Sequence, residues 1–178
     1  MFESVAGSLL IARPEVDDPH FRRAVVYLVD HNDEGAFGVV INRPSEIDLD
    51  QHLDLPAGLT NPPAVFFEGG PVDDNAVVAL GSENLTPPRL IDIDALLNGD
   101  LDAPSQLRFF AGYSGWSAGQ LDAELAADSW FVVAVRRAAD DHDDIFGSDP
   151  ANLWRTVLRR QPPPLAALAL YPENLMAN

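Results

Sequence analysis

The sequence predicts an α+β domain, and three observations carry that prediction. Short apolar and β-branched runs recur along the chain and outnumber the helical patterns. Strands and helices do not alternate, as a doubly wound sheet would require. The 178 residues, 47% of them hydrophobic, suffice for one core, with roughly 70% of the unfolded surface buried on folding.

Ser8 to Ala12 (SLLIA) reads as the first strand, closed by Arg13-Pro14 because proline lacks a ladder donor and restricts the residue before it. A short turn of helix is expected near Pro19 to Arg23. Ala24 to Asp30 and Phe37 to Asn42 follow as two β-branched strands joined as a hairpin, with Asn32 and Gly35 at the first and last positions of a type I turn. Asp48 to Leu55 suggests a short helix and Pro56 to Pro63 a loop. Val65 to Glu68 and Ala76 to Leu80 read as an antiparallel pair, separated by GGPVDDN, whose glycines and proline do not suit a central strand. Leu90 to Leu97 stays open, since IDID alternates like a strand while DALLNGD resembles a short helix ending at a glycine.

Leu107 to Tyr113 is a strand leading into GYSGWSAG. Gln120 to Ala127 is a helix with Leu121 and Leu125 on one face, and Trp130 to Val135 is a fully apolar strand. AADDHDD reads as a solvated loop. Asp149 as N-cap and Pro150 at the first helical position open a helix to Arg160, with Leu153, Trp154, Val157 and Leu158 as its packing stripe. Pro162 to Pro164 ends it. The expected organisation is one domain over residues 1–161 and a Pro-rich tail over 162–178, either docked through LAALAL or mobile.

Composition removes whole classes of chemistry. Acidic side chains number 28 against 11 basic ones, for a net charge of −17. All the basic residues are arginine. Such a surface disfavours nucleic-acid and anionic-membrane binding. There is no cysteine, hence no disulfide, thiolate site or cysteine nucleophile. The longest apolar run, Leu165 to Tyr171, is far below membrane-spanning length. MFESVAGSLLIARPE has no basic region ahead of its apolar stretch, so no signal peptide is read and the cytoplasm is expected.

G-x-S-x-G at Gly115-Trp116-Ser117-Ala118-Gly119 lies between a strand and a helix, as a nucleophile elbow requires, and makes a serine hydrolase one hypothesis. The same residues form Ser117-x-x-Gln120, a capping box, and the only later histidine is His142 in the acidic loop. D-x-N-x-E-G at Asp30 to Gly35 begins like a calcium loop, but Ile41 stands where the bidentate glutamate is needed. The run Asp140 to Asp144 is read as charged loop rather than metal site. Glu68 before Gly69-Gly70 can sit beside exposed backbone N–H groups and suits a small polar ligand, but a tight turn is the simpler reading of these residues. No phosphate-loop or dinucleotide fingerprint is present and no cofactor is expected. His20, His31 and His52 default to surface or hydrogen-bonding roles. The pairs Arg22-Arg23, Arg136-Arg137 and Arg159-Arg160 lack any accompanying nucleic-acid motif and are read as partners for carboxylates.

Four segments taken together resemble the YqgE/AlgH family of bacterial proteins: GSLLIARPEVDDPHFRRAVVYLVDHNDEGAFGVVINRP, FFEGGPV, FFAGYSGWSAGQLDAELAADSWFVV and DIFGSDPANLWRTVL. They run in order from Gly7 to Leu158. The resemblance implies a bifurcated, mostly antiparallel sheet curled into a pseudo-barrel and flanked by helices, in a cytoplasmic protein of uncertain function. It also implies glycine where this chain has Ser117, which weakens the hydrolase. The AlgH name carries a suggestion of transcriptional control, for which this acidic chain supplies no DNA-binding motif.

The expected function is therefore a non-enzymatic binding or regulatory module acting through a protein or small-molecule partner. Its hypothetical site brings together the GGPV turn (Glu68, Gly69, Gly70, Pro71), the GYSGW turn (Tyr113, Trp116, then Gln120) and the hairpin-to-INRP strand (His31, Asn42). Fold-defining turns with packed aromatics are the competing explanation. The enzymatic alternative uses Ser117 or a carboxylate such as Glu68.

Overall fold

Apolar residues run unbroken through the first strands because both faces of those strands are covered. In the computed structural model of the chain, which describes residues 3–56 and 58–173, β1 (Leu9–Ala12), β2 (Val25–Asn32) and β3 (Gly35–Val40) pair antiparallel. Leu9, Ile11, Val25, Tyr27 and Val39 enter one core, shared with Leu153, Trp154, Val157 and Leu158. The latter four come from the helix Leu153–Arg159, which is α3 in chain order after α1 (Ile93–Leu97) and α2 (Gln120–Ala126). The alternate residues Leu10, Val26, Leu28 and Val40 face a second core with Trp116, Leu121 and Trp130. The Trp154 indole donates to the Ala12 carbonyl at 2.9 Å and ties α3 to β1.

β4 (Pro44–Asp48), β5 (Val65–Glu68), β6 (Val72–Ser82), β7 (Arg89–Leu90), β8 (Gln106–Ser117) and β9 (Trp130–Val133) complete a sheet of order β4-β5-β8-β3-β2-β1-β9, from which β6 and β7 branch at β8. The first half of β8 lies between β5 and β6; its second half, Ser114 to Ser117, runs beside β3. Every pairing is antiparallel except β5 with β8. A third core under the branch gathers Phe66, Ala79, Leu107 and Phe109 with Leu96 of α1 and Leu49. The outcome is the predicted α+β fold, a curled half-barrel with a few helices.

Several elements differ from the sequence expectation. β5 and β6 are not a hairpin pair, because β8 inserts between them. The Gly69 N–H donates to Ala111 O at 2.9 Å, and Gly70, at φ +150°, passes so close to β8 that a Cβ would overlap the Tyr113 carbonyl. GGPV thus carries the chain across β8 instead of folding it back. GYSGW is strand, not turn. Pro19 to Arg23 forms turns with one helical bond, Arg22 N–H to Asp18 O at 2.8 Å. Asp48 to Leu55 contains only a 3-10 turn, Leu49–Gln51. The open segment Leu90 to Leu97 holds both elements: β7 ends at Leu90, and Asp92 then caps α1 by accepting from the Ala95 N–H at 3.1 Å. β9 stops at Val133, two residues short of the expected end. Asp149 is not a side-chain cap; it accepts from the Asn152 amide, and a 3-10 turn, Pro150–Asn152, precedes α3.

After the prolines, α4 (Leu165–Leu168) leads to a segment held by arginines. Arg155 donates to the carbonyls of Ala169 and Tyr171, Arg23 to those of Tyr171 and Pro172, and Arg22 to that of Glu173. Residues 174–178 of the expected tail lie outside the described residues.

Arg108 on β8 holds the second branch together although its sequence context marks nothing. It is 2% exposed. One guanidinium nitrogen donates to Ile145 O (2.7 Å) and Gly147 O (3.2 Å), the other to Pro62 O (2.7 Å) and Asn61 O (3.4 Å), with the Phe67 ring 4.4 Å away. Burial lowers its pKa to about 10, against the opposing pull of Asp143.

Candidate functional site

The chain crosses itself at one corner of the sheet, and the crossing is built from backbone. The Gly69 carbonyl accepts from the Val40 N–H at 2.9 Å and from the Ser114 hydroxyl at 3.1 Å. The Glu68 N–H donates to Arg43 O at 2.8 Å. Pro44 is in register with Phe67, and Val72 with Tyr113. Gly112 bends β8 at φ +73°, where a Cβ would stand 2.7 Å from the Gly70 carbonyl. INRP, GGPV and the start of GYSGW therefore share this corner.

A cleft of about 360 Å³ opens there, lined by His20, Arg43, Ser45, Glu68, Pro71 and Asp74, with Gly70, Ile47 and Ala111 completing its wall. Arg43 is its one guanidinium, and its N–H donors are occupied: it donates to the carbonyls of Pro19 (2.9 Å), His20 and Arg22 (2.5 Å). Burial lowers the Arg43 pKa from its ordinary value, while the Glu68 and Asp18 carboxylates oppose that shift. Among the described residues, neither the Glu68 nor the Asp74 carboxylate makes a hydrogen bond or close ion pair. The cleft thus presents two uncommitted carboxylates and the His20 imidazole.

The structure divides the residues proposed from sequence. Glu68, Gly70 and Pro71 line the cleft, and Gly69 and Tyr113 form the crossing beside it. The Tyr113 ring rests on Phe37, centroids 5.0 Å apart. The other four serve elsewhere. Asn42 accepts from the Val25 N–H (2.9 Å) and donates to Arg23 O (2.8 Å), closing the edge of β2. Trp116 is buried in the second core against Phe21 and Trp130. Gln120 accepts from the N–H and hydroxyl of Ser117, at 3.1 and 3.3 Å. Buried His31 accepts at Nδ1 from the Val5 N–H (3.1 Å) and holds Nε2 3.2 Å from Asp122 of α2. His20, Arg43, Ser45 and Asp74 were missed; only the position of Arg43 inside INRP hinted at it.

Two further expectations are corrected. The capping box is one-sided: Gln120 reaches back to Ser117, but the N-cap of α2 is Gly119 in the left-handed region, and the Ser117 hydroxyl donates to Gln120 rather than capping. The acidic loop is only half solvated. Asp143 is buried, accepting from Arg137 Nε (2.8 Å) and from the N–H groups of Ala138, Ile145 and Phe146. Asp144 is also buried, and takes both guanidinium nitrogens of Arg160 and the Arg136 N–H. Asp140, Asp141 and His142 remain outside. Among the described residues, no three His, Asp or Glu side chains are grouped to hold a metal ion, and no helix is long and apolar enough to cross a membrane.

A branched, mostly antiparallel half-barrel crossed by a glycine corner defines a fold that known proteins share. The AlgH-like family profile matches residues 9–166, and the chain belongs to that family. A UPF0301 protein of Streptomyces coelicolor is 40% identical over 98% of this chain and 96% of its own length. One from Thermobifida fusca is 42% identical over the same shares. Among solved structures, a protein from Corynebacterium diphtheriae superposes with a TM-score of 0.82 at 23% identity, covering 96% of this chain and 94% of that one. The AlgH protein of Pseudomonas aeruginosa superposes with a TM-score of 0.65 at 29% identity, covering 89% and 91%. The function of this family is not established.

Proposed function

We propose that the protein is a non-enzymatic, cytoplasmic binding or regulatory protein that engages a protein or small-molecule partner through the corner cleft. One observation carries the reading: Glu68 and Asp74 line a cleft whose only guanidinium is already taken by carbonyls. Glu68, whose charge Arg43 offsets only in part, and Asp74 select a basic group, an ammonium or a guanidinium, which forms charge-assisted hydrogen bonds to them. The net charge of −17 attracts such a partner over distance and repels nucleic acid. Four of the six paired arginines are occupied within the fold: Arg22 and Arg23 bind the C-terminal segment, and Arg137 and Arg160 are tied to Asp143 and Asp144. The serine hydrolase loses support, because Ser117 bonds Gln120 and no described bond joins it to a histidine.

The test is affinity capture from the native cytoplasm with wild type and with Glu68→Gln/Asp74→Asn, each eluate analysed by native and denaturing mass spectrometry. The reading predicts a stoichiometric basic ligand or partner on wild type that is lost from the double variant. Identical eluates from the two proteins would reject the cleft as the site.

A further inference from the structure

We propose that a second cleft, between the loop after β9 and α3, binds a small phosphate monoester. It encloses about 450 Å³ and is lined by Arg136, Arg159, Arg160, His142, Ser148 and Thr156, with Pro150 and Leu153 supplying apolar wall. In a chain with so few cations for its carboxylates, nearly every arginine is committed. Arg22, Arg23, Arg43, Arg108 and Arg155 donate to carbonyls, and Arg13, Arg137 and Arg160 pair with carboxylates. Among the described residues, the guanidinium groups of Arg89, Arg136 and Arg159 alone make no hydrogen bond or ion pair. Two of those three line this one cleft.

The wall that presents them is fixed. Asp144 anchors the Arg136 N–H at 2.7 Å and Arg160 at the C-terminal cap of α3, so its charge is spent inward. Asp143 ties the N–H groups of Ala138, Ile145 and Phe146. Two free guanidinium forks, an imidazole and two hydroxyls match a tetrahedral dianion, whose oxygens accept several charge-assisted bonds. A planar carboxylate has fewer oxygens to offer. The cleft is larger than phosphate alone requires, and Pro150 and Leu153 suit an organic body attached to it. Four carboxylates share the lining, of which Asp143 and Asp144 are neutralised by their ion pairs with Arg137 and Arg160. Asp149 is bonded to the Asn152 amide, whereas exposed Asp141 opposes a bare dianion.

The experiment titrates the ¹⁵N-labelled full chain with phenyl phosphate, and separately with inorganic phosphate, at constant ionic strength. The readouts are the Nε–H signals of Arg136 and Arg159 and the amides of residues 141–149. Expected are saturating shifts at these signals, tighter for phenyl phosphate than for inorganic phosphate. Arg136→Gln and Arg159→Gln should each weaken binding about tenfold, Asp141→Asn should tighten it, and Glu68→Gln/Asp74→Asn should leave it unchanged. The absence of saturation by about 10 mM, shifts centred elsewhere, or affinities indifferent to both arginine substitutions would overturn the proposal. Equal affinity for the two probes would overturn its assignment to a monoester.

Discussion

Replacing Arg108 by methionine removes a charge from the least exposed cationic position in the fold while keeping an unbranched chain of similar reach. Its two shortest bonds, to Ile145 O and Pro62 O at 2.7 Å, join β8 to two separate loops. A bond from a charged donor contributes about 1.5–3 kcal/mol, so losing both costs about 3–6 kcal/mol. Methionine also removes the desolvation cost of the buried charge, and replacing a buried ion by an apolar side chain can return about 1–4 kcal/mol. The cost is real here, because burial is what lowers the Arg108 pKa to about 10. The expected net loss is about 2 kcal/mol, or about 1 M in the urea midpoint at unchanged slope. Tryptophan fluorescence follows the transition through Trp116, Trp130 and Trp154, which all lie in the two cores beside β1 and β2. Arg108→Lys keeps the charge but not the fork that reaches both loops, and should lose at least as much. A midpoint unmoved or raised in Arg108→Met would refute the reasoning and show the guanidinium to be a net cost.

Three other outcomes follow from the same geometry. Burial raises the Tyr27 phenol above its ordinary 10.0, so the folded chain keeps a proton that the unfolded chain releases. The stability of wild type relative to Tyr27→Phe should then be fully present below pH 10 and decline as pH rises toward the folded value, checked by paired urea midpoints from pH 8 to about 11. Gly70→Ala should cost about 3 kcal/mol or more, because the new Cβ meets the Tyr113 carbonyl at an unfavourable φ. Gly119→Ala, with a similar backbone penalty but open space around it, should cost only about 1–2 kcal/mol. Ser117→Ala should shift stability by about 0.5 kcal/mol or less, and a fluorophosphonate probe should leave wild-type Ser117 unlabelled.

Local signals in the chain were readable where a single element determines its own residues. SLLIA, AVVYLVD and the stripe Leu153, Trp154, Val157 and Leu158 mark strands and a helix because both depend on short-range periodicity. The β5–β6 arrangement was not readable, because antiparallel pairing and a crossing over β8 use the same glycines and proline. The site followed the same division. Glu68, Gly70 and Pro71 stood out by turn chemistry and line the cleft, whereas Asp74 and His20 reach it through a bulged strand and a turn with no sequence signature. Asn42 and Trp116 looked like ligand-contacting groups because polar and aromatic side chains serve cores and edges equally well. Asp143 and Asp144 looked solvated in DDHDD because the arginines that neutralise them, Arg137 and Arg160, are set by tertiary packing. Arg108 offered no signal, since its acceptors are backbone carbonyls more than 35 residues away in sequence.

Hydrogen exchange measured by mass spectrometry, comparing the protein in buffer with the protein in extract of its native cells, tests the corner cleft most directly. The account predicts slowed exchange in peptides covering residues 43–47, 68–74 and 111–113, abolished by Glu68→Gln/Asp74→Asn. Exchange unchanged in those three segments, or slowed equally in the double variant, would contradict it.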